Sequence, residues 1–148
     1  MIWVMPITLH RTAEITVALP RDAAIALFTA EGERRWAEGW DPHYPQPGRC
    51  DGPGAVFTTA HSSHQTTWIM VDHRPDAVRY ARVTHGLTAG TVAVDVVASD
   101  DDLTRVRVTY DLTALTTAGQ AWLAELDAGY DTEIASWAID IAASCRAD

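Results

Sequence analysis

Apolar residues step by three or four along residues 117–145: Trp122, Leu123, Leu126, Tyr130, Ile134, Trp137, Ala138 and Ile141. That spacing places them on one face of a long amphipathic helix. Before it, the period changes to two. Residues 55–61, 65–73, 77–84, 90–98 and 104–112 read as five strands, separated by Ser62-Ser63, Pro75-Asp76, His85-Gly86 and residues 100–102. Links this short favour antiparallel hairpins over crossovers. A first strand is predicted over 7–19, where Ile15, Val17 and Leu19 alternate with Glu14, Thr16 and Ala18, and Pro20 ends it. Pro20-Arg21-Asp22 then opens a short helix that runs to residue 29 and buries Ala24, Leu27 and Phe28. Gly32 allows a break, and residues 33–37 form a second short helix carrying Trp36. Residues 39–54, rich in glycine and proline, form a long loop that also carries Trp40, His43 and Tyr44. Thr116 is the expected N-cap of the long helix. The order predicts a single α+β domain over 1–148, in which a curved antiparallel sheet receives one long helix. Such a sheet leaves room for a pocket beneath the helix.

The strand faces follow from the alternation. Val106, Val108, Tyr110 and Leu112 point one way and Arg105, Arg107, Thr109 and Asp111 the other, so the first set faces the helix. Val92, Val94 and Val96 do the same in the strand before. Residues 77–84 sort less cleanly, because either face carries an arginine. The choice favoured here turns Tyr80 and Arg82 inward. An inward guanidinium needs a partner, because an unpaired buried charge is very costly. An internal carboxylate, backbone carbonyls or the acidic group of a ligand would serve. Alternatively, Arg82 lies near enough to the strand end to reach water.

The apolar share of 47% and charged share of 21% are ordinary for a globular chain. The formal net charge of −9, with Arg34-Arg35 as the only adjacent basic pair, argues against nucleic acid and anionic membranes as partners. Cys50 and Cys145 are expected as free thiols, as in a reducing compartment. The apolar start, 1–5, is too short for a signal peptide, and no apolar run reaches a membrane span. A cytoplasmic protein without membrane insertion, monomeric or homodimeric, is the expectation.

Local phrases add a resemblance. Residues 31–36 followed by Gly39-Trp40-Asp41-Pro42, residues 54–59, Thr67-Trp68, residues 80–84, and above all residues 106–116 leading to Gly119 resemble bacterial members of the Bet v 1/START-like (SRPBCC) superfamily, of the polyketide cyclase type. The resemblance covers nearly the whole chain. It implies the helix-grip fold: a curved antiparallel sheet wrapped around a long C-terminal helix, with two short helices after the first strand and a hydrophobic cavity between sheet and helix. It also leaves room for a further short strand in the 39–54 loop or in a bulged segment.

Candidate chemistry is sparse. His61 and His64 are three apart but sit in a predicted hairpin turn with no third ligand, so no metal is expected. There is no Gly-x-Ser-x-Gly elbow and no phosphate-binding glycine loop, and no cofactor is expected. Residues 100–102 read as a solvated turn. The aromatic residues carry most weight. Trp36 and Trp40 are placed at the pocket mouth, and Trp122, near the helix start, is read as core. The expected ligand-binding set is Trp36, Trp40, Phe57, His61, Trp68, Tyr80, Arg82, Tyr110, Tyr130, Ile134 and Trp137. The leading functional expectation is a binding protein for a small hydrophobic molecule, lipid- or polyketide-like. An aromatase/cyclase- or dehydratase-type enzyme is the second reading. A co-chaperone-like interaction module is the third.

Overall fold

The structure, a computed structural model, describes residues 6–146; the apolar start, 1–5, lies outside the described residues. The elements run β1 (Thr8–Val17), α1 (Arg21–Ala26), α2 (Ala30–Glu33), β2 (Val56–His61), β3 (His64–Arg74), β4 (Ala77–Thr84), β5 (Thr88–Ser99), β6 (Thr104–Ala114) and α3 (Thr117–Arg146). All strands join one antiparallel sheet in the order β1-β6-β5-β4-β3-β2. This is the helix-grip arrangement. The strands fall within two residues of the sequence expectation at each end.

The sheet curves where the sequence lets it. Register shifts between Met70 and Asp72 and between Val96 and Ala98 bend β3 and β5. Gly90 lies in β5 where an added Cβ would come within 2.0 Å of the Asp111 carbonyl oxygen on β6. Only a glycine allows that approach. The β2–β3 hairpin turns on Ser62, at φ 54°. His43 pairs as an isolated bridge with Thr58, so the 39–54 loop adds a single ladder step beyond β2 instead of a strand.

The α1–α2 corner differs from the sequence expectation. The first helix stops at Ala26, and Thr29 starts the second by accepting a 3.0 Å hydrogen bond from the Gly32 N–H. Gly32 therefore lies inside α2 and does not break the chain. Its missing side chain matters for packing, since a Cβ there would meet the Ala26 carbonyl oxygen at 1.8 Å. The stretch carrying Trp36 is a run of turns after α2.

Helix α3 starts as expected, with the Gly119 N–H donating to Thr116 Oγ1 at 3.0 Å. Its inner face buries Leu123, Tyr130, Ile134 and Ile141 against the sheet. It packs chiefly on β1 and β6, one side of the sheet. Opposite it, Val106, Val108 and Leu112 are fully buried. The inner faces of β2, β3 and β4 lie beyond the main contacts of α3. No described helix is long and apolar enough to cross a membrane. Cys50 and Cys145 are free.

Candidate functional site

The offset of α3 toward β1 and β6 leaves a cavity of about 270 Å³ under the other half of the sheet. Its roof is the α2 end and the following turns, with Glu33, Trp36, Ala37, Glu38, Gly39 and Trp40. Its floor is the sheet, with Thr59, Ala60 and His61 on β2, Thr66 and Trp68 on β3, Arg82 on β4 and Tyr110 on β6. Trp122, Glu133 and Trp137 close it from α3.

The indoles are held in place by their N–H groups. Trp36 Nε1 donates to the Leu27 carbonyl and Trp40 Nε1 to the Ala30 carbonyl, both at 2.8 Å. Trp68 Nε1 donates to Thr59 Oγ1 at 3.0 Å. With those polar edges satisfied, the three indoles line the cavity as apolar surface. They also pack on one another. Trp36 lies 5.5 Å from Trp137, and Trp40 meets Trp68 edge to face at 5.6 Å.

Arg82 faces inward and is buried, at 8% exposure. The reading that it reaches water is therefore overturned. β4 carries Val78, Tyr80, Arg82 and Thr84 on its inner side, where all four are buried. The guanidinium lies 4.7 Å from the Trp68 ring centre and donates from Nη2 to Thr84 Oγ1 at 3.1 Å. Thr84 Oγ1 is itself 2.7 Å from Thr66 Oγ1. Arg82 Nε is buried with no partner. Burial pulls the Arg82 pKa down, and nearby Tyr110 opposes that. Burial pushes the Tyr110 phenol up to about 12, with Arg82 partly offsetting it.

Glu33 introduces an acid that the sequence reading did not single out. Burial holds its carboxyl well above the usual carboxylate range. Glu33 lines the cavity from the roof, across from Arg82 and Tyr110 on the floor. The spacing carried a usable signal: Glu33, Trp36, Ala37 and Trp40 recur at helical intervals. Glu133 precedes Trp137 by one helical turn in the same way, and is exposed at the rim.

Of the eleven residues expected to bind ligand, Trp36, Trp40, His61, Trp68, Arg82, Tyr110 and Trp137 line the cavity. His61 sits exposed at its edge. Phe57, Tyr80, Tyr130 and Ile134 lie behind the walls in the core. Phe57 stacks on Trp68 with the ring planes 5° apart. The Tyr80 hydroxyl donates to the Phe28 carbonyl at 2.9 Å, and that of Tyr130 to the Val108 carbonyl at 2.6 Å. Both hydroxyls find backbone partners and are unavailable to a ligand. Trp122, read as core, stands half-buried on the cavity wall. Thr59 and Thr66 also line it unforeseen.

No family model and no curated protein matches the chain. Solved structures do. The protein Mll3558 from Rhizobium loti superposes with a TM-score of 0.67 at 16% identity, over 93% of this chain and 97% of that one. Truncated norcoclaurine synthase from Thalictrum flavum gives 0.63 at 12% identity, over 95% and 94%. The Zhui aromatase/cyclase from Streptomyces sp. R1128 gives 0.63 at 13% identity, over 94% of each chain. The chain thus shares the helix-grip fold of these proteins. At such identities the likeness carries the fold and leaves the chemistry to the site.

Proposed function

We propose that this protein binds a small hydrophobic ligand, lipid- or polyketide-like, in the cavity between sheet and α3. The observation that carries this reading is the wall itself. Trp36, Trp40 and Trp68 line an open space of about 270 Å³, with their N–H groups satisfied by protein partners. Ligand sites combine apolar walls with a few placed polar groups. Arg82, Tyr110 and Glu33 supply those groups. The volume lies just under the roughly 300–1,000 Å³ range of small-molecule pockets, which favours a body of one or two rings over a long acyl chain.

A second reading is an aromatase/cyclase- or dehydratase-type enzyme using the same cavity. What favours it is the presence of an acid, a phenol and a guanidinium on one cavity, the groups needed to polarise a carbonyl and move a proton. Two of the similar folds named above are a synthase and an aromatase/cyclase. A co-chaperone-like module is the third reading. It draws on Val56, Ile69, Val71 and Val83, exposed on the outer face of β2, β3 and β4.

Native mass spectrometry of freshly purified protein, followed by addition of the uncharged probe N-phenyl-1-naphthylamine, tests the binding reading. The expected result is either a co-purified small molecule or uptake of the probe with a blue-shifted, enhanced emission. An empty protein that takes up no probe would contradict ligand binding and favour the interaction module.

A further inference from the structure

The head group of the ligand can be read from the cavity floor, on the premise that the cavity binds a ligand as proposed above. Among the described residues Arg82 is the one basic side chain that is buried. A guanidinium carries five N–H donors. One is engaged, by Thr84 Oγ1. Thr84 Oγ1 already shares a hydrogen bond with Thr66 Oγ1, so this hydroxyl pair is close to saturated. The Trp68 face attracts the cation without using a donor. Nε is left buried and unpartnered. Arginine does not give up its proton in a protein, so the charge persists in the cavity wall and is costly there until an anion meets it.

We propose that the ligand is a small organic acid, with a carboxylate paired to Arg82 and a flat apolar body between the indoles of Trp36, Trp40 and Trp137. A carboxylate fits the guanidinium fork with two parallel hydrogen bonds, which a neutral carbonyl cannot match. A cationic ligand drawn by the acids of the cavity is the main competitor. Burial decides against it. Glu38 and Glu133 are exposed and solvated, so they need no counter-ion. At Glu33 burial favours the uncharged acid, which offers a hydrogen bond rather than an anion. The net charge of −9 slows the approach of an acid but is largely screened at physiological salt. The contact with Arg82, out of water, is not.

The test is calorimetric titration of the intact protein, at about 150 mM salt, with three ligands sharing one body: 2-naphthoate, 2-naphthamide and 2-naphthylmethylamine. Naphthoate is expected to bind at least ten-fold more tightly than the amide, and the amine more weakly than both. Arg82→Met is expected to remove the preference for the acid and keep the affinity for the amide. The comparison on the wild-type protein decides the head group without a variant; Arg82→Met then assigns it to this side chain. Equal binding of acid and amide, tighter binding of the amine, or an acid preference that survives Arg82→Met would each overturn the proposal while leaving ligand binding intact. No binding by any of the three would overturn ligand binding, and this proposal with it.

Discussion

Replacing Tyr130 with alanine is expected to destabilise the fold by about 4 kcal/mol, within the range for deleting a large buried aromatic side chain. Tyr130 sits halfway along α3 at 1% exposure. Its ring meets Tyr110 edge to face at 5.5 Å, and its hydroxyl reaches the Val108 carbonyl on β6. On the β1 side the Arg11 guanidinium lies 5.3 Å from the ring centre. That arginine is in turn held by Asp127 at 2.7 Å and Asp131 at 3.0 Å. Those ion pairs are exposed and add little by themselves. The loss comes from the cavity the ring would leave and from the hydrogen bond. Tyr130→Phe keeps the ring and should cost only about 1 kcal/mol, the scale of one hydrogen bond. Urea unfolding of both variants checks this. A loss below about 2 kcal/mol for Tyr130→Ala, under the usual range for such deletions, would mean that α3 is not gripped at this point.

Glu33→Gln is expected to stabilise the protein at pH 8 and to change its stability little at pH 4. Burial raises the folded-state pKa of this carboxyl above its unfolded value. The wild type is then most stable below the unfolded carboxylate value of about 4.3. That stability is lost as the pH rises through the raised folded value, because folding then has to bury a charge. Glutamine has the shape of the neutral acid and no charge to desolvate. Its unfolding free energy should therefore lack this contribution to the pH dependence. Tyr80 and Tyr110, which feel the charge of Glu33, titrate far above this window. Unfolding curves at the two pH values check it. A stabilisation of the same size at both would remove Glu33 from a desolvating site. A carboxyl of raised pKa on a cavity wall is a functional candidate.

The parts of this molecule that were legible in the sequence are those with a strict period. Alternation in 104–112 places Val106, Val108 and Leu112 in the core, and the three–four spacing of the last helix places Leu123, Tyr130, Ile134 and Ile141 there. What stayed hidden depends on partners far along the chain. Tyr80 and Tyr130 read as ligand-facing because a buried hydroxyl needs a partner. The carbonyls that satisfy them belong to Phe28 and Val108, and no local pattern points to either. Gly32 reads as a helix break from its propensity, whereas the close packing of α2 on the Ala26 carbonyl is what requires it. Glu33 was passed over because the second short helix was placed three residues late. With Thr29 as its cap, Glu33 falls on the cavity side with Trp36 and Trp40. Trp122 read as core because the offset of α3 toward β1 and β6 is a tertiary fact.

If the space under Trp36, Trp40 and Trp137 is a ligand site, its indoles report the ligand directly. The most direct measurement follows the indole N–H resonances of the six tryptophans by two-dimensional NMR during a titration with 2-naphthoate. Saturable shifts are expected at Trp36, Trp40, Trp68 and Trp137, together with amides near Arg82 and Tyr110. Shifts confined to residues on the outer face of the sheet, with the cavity indoles unmoved at saturation, would contradict it.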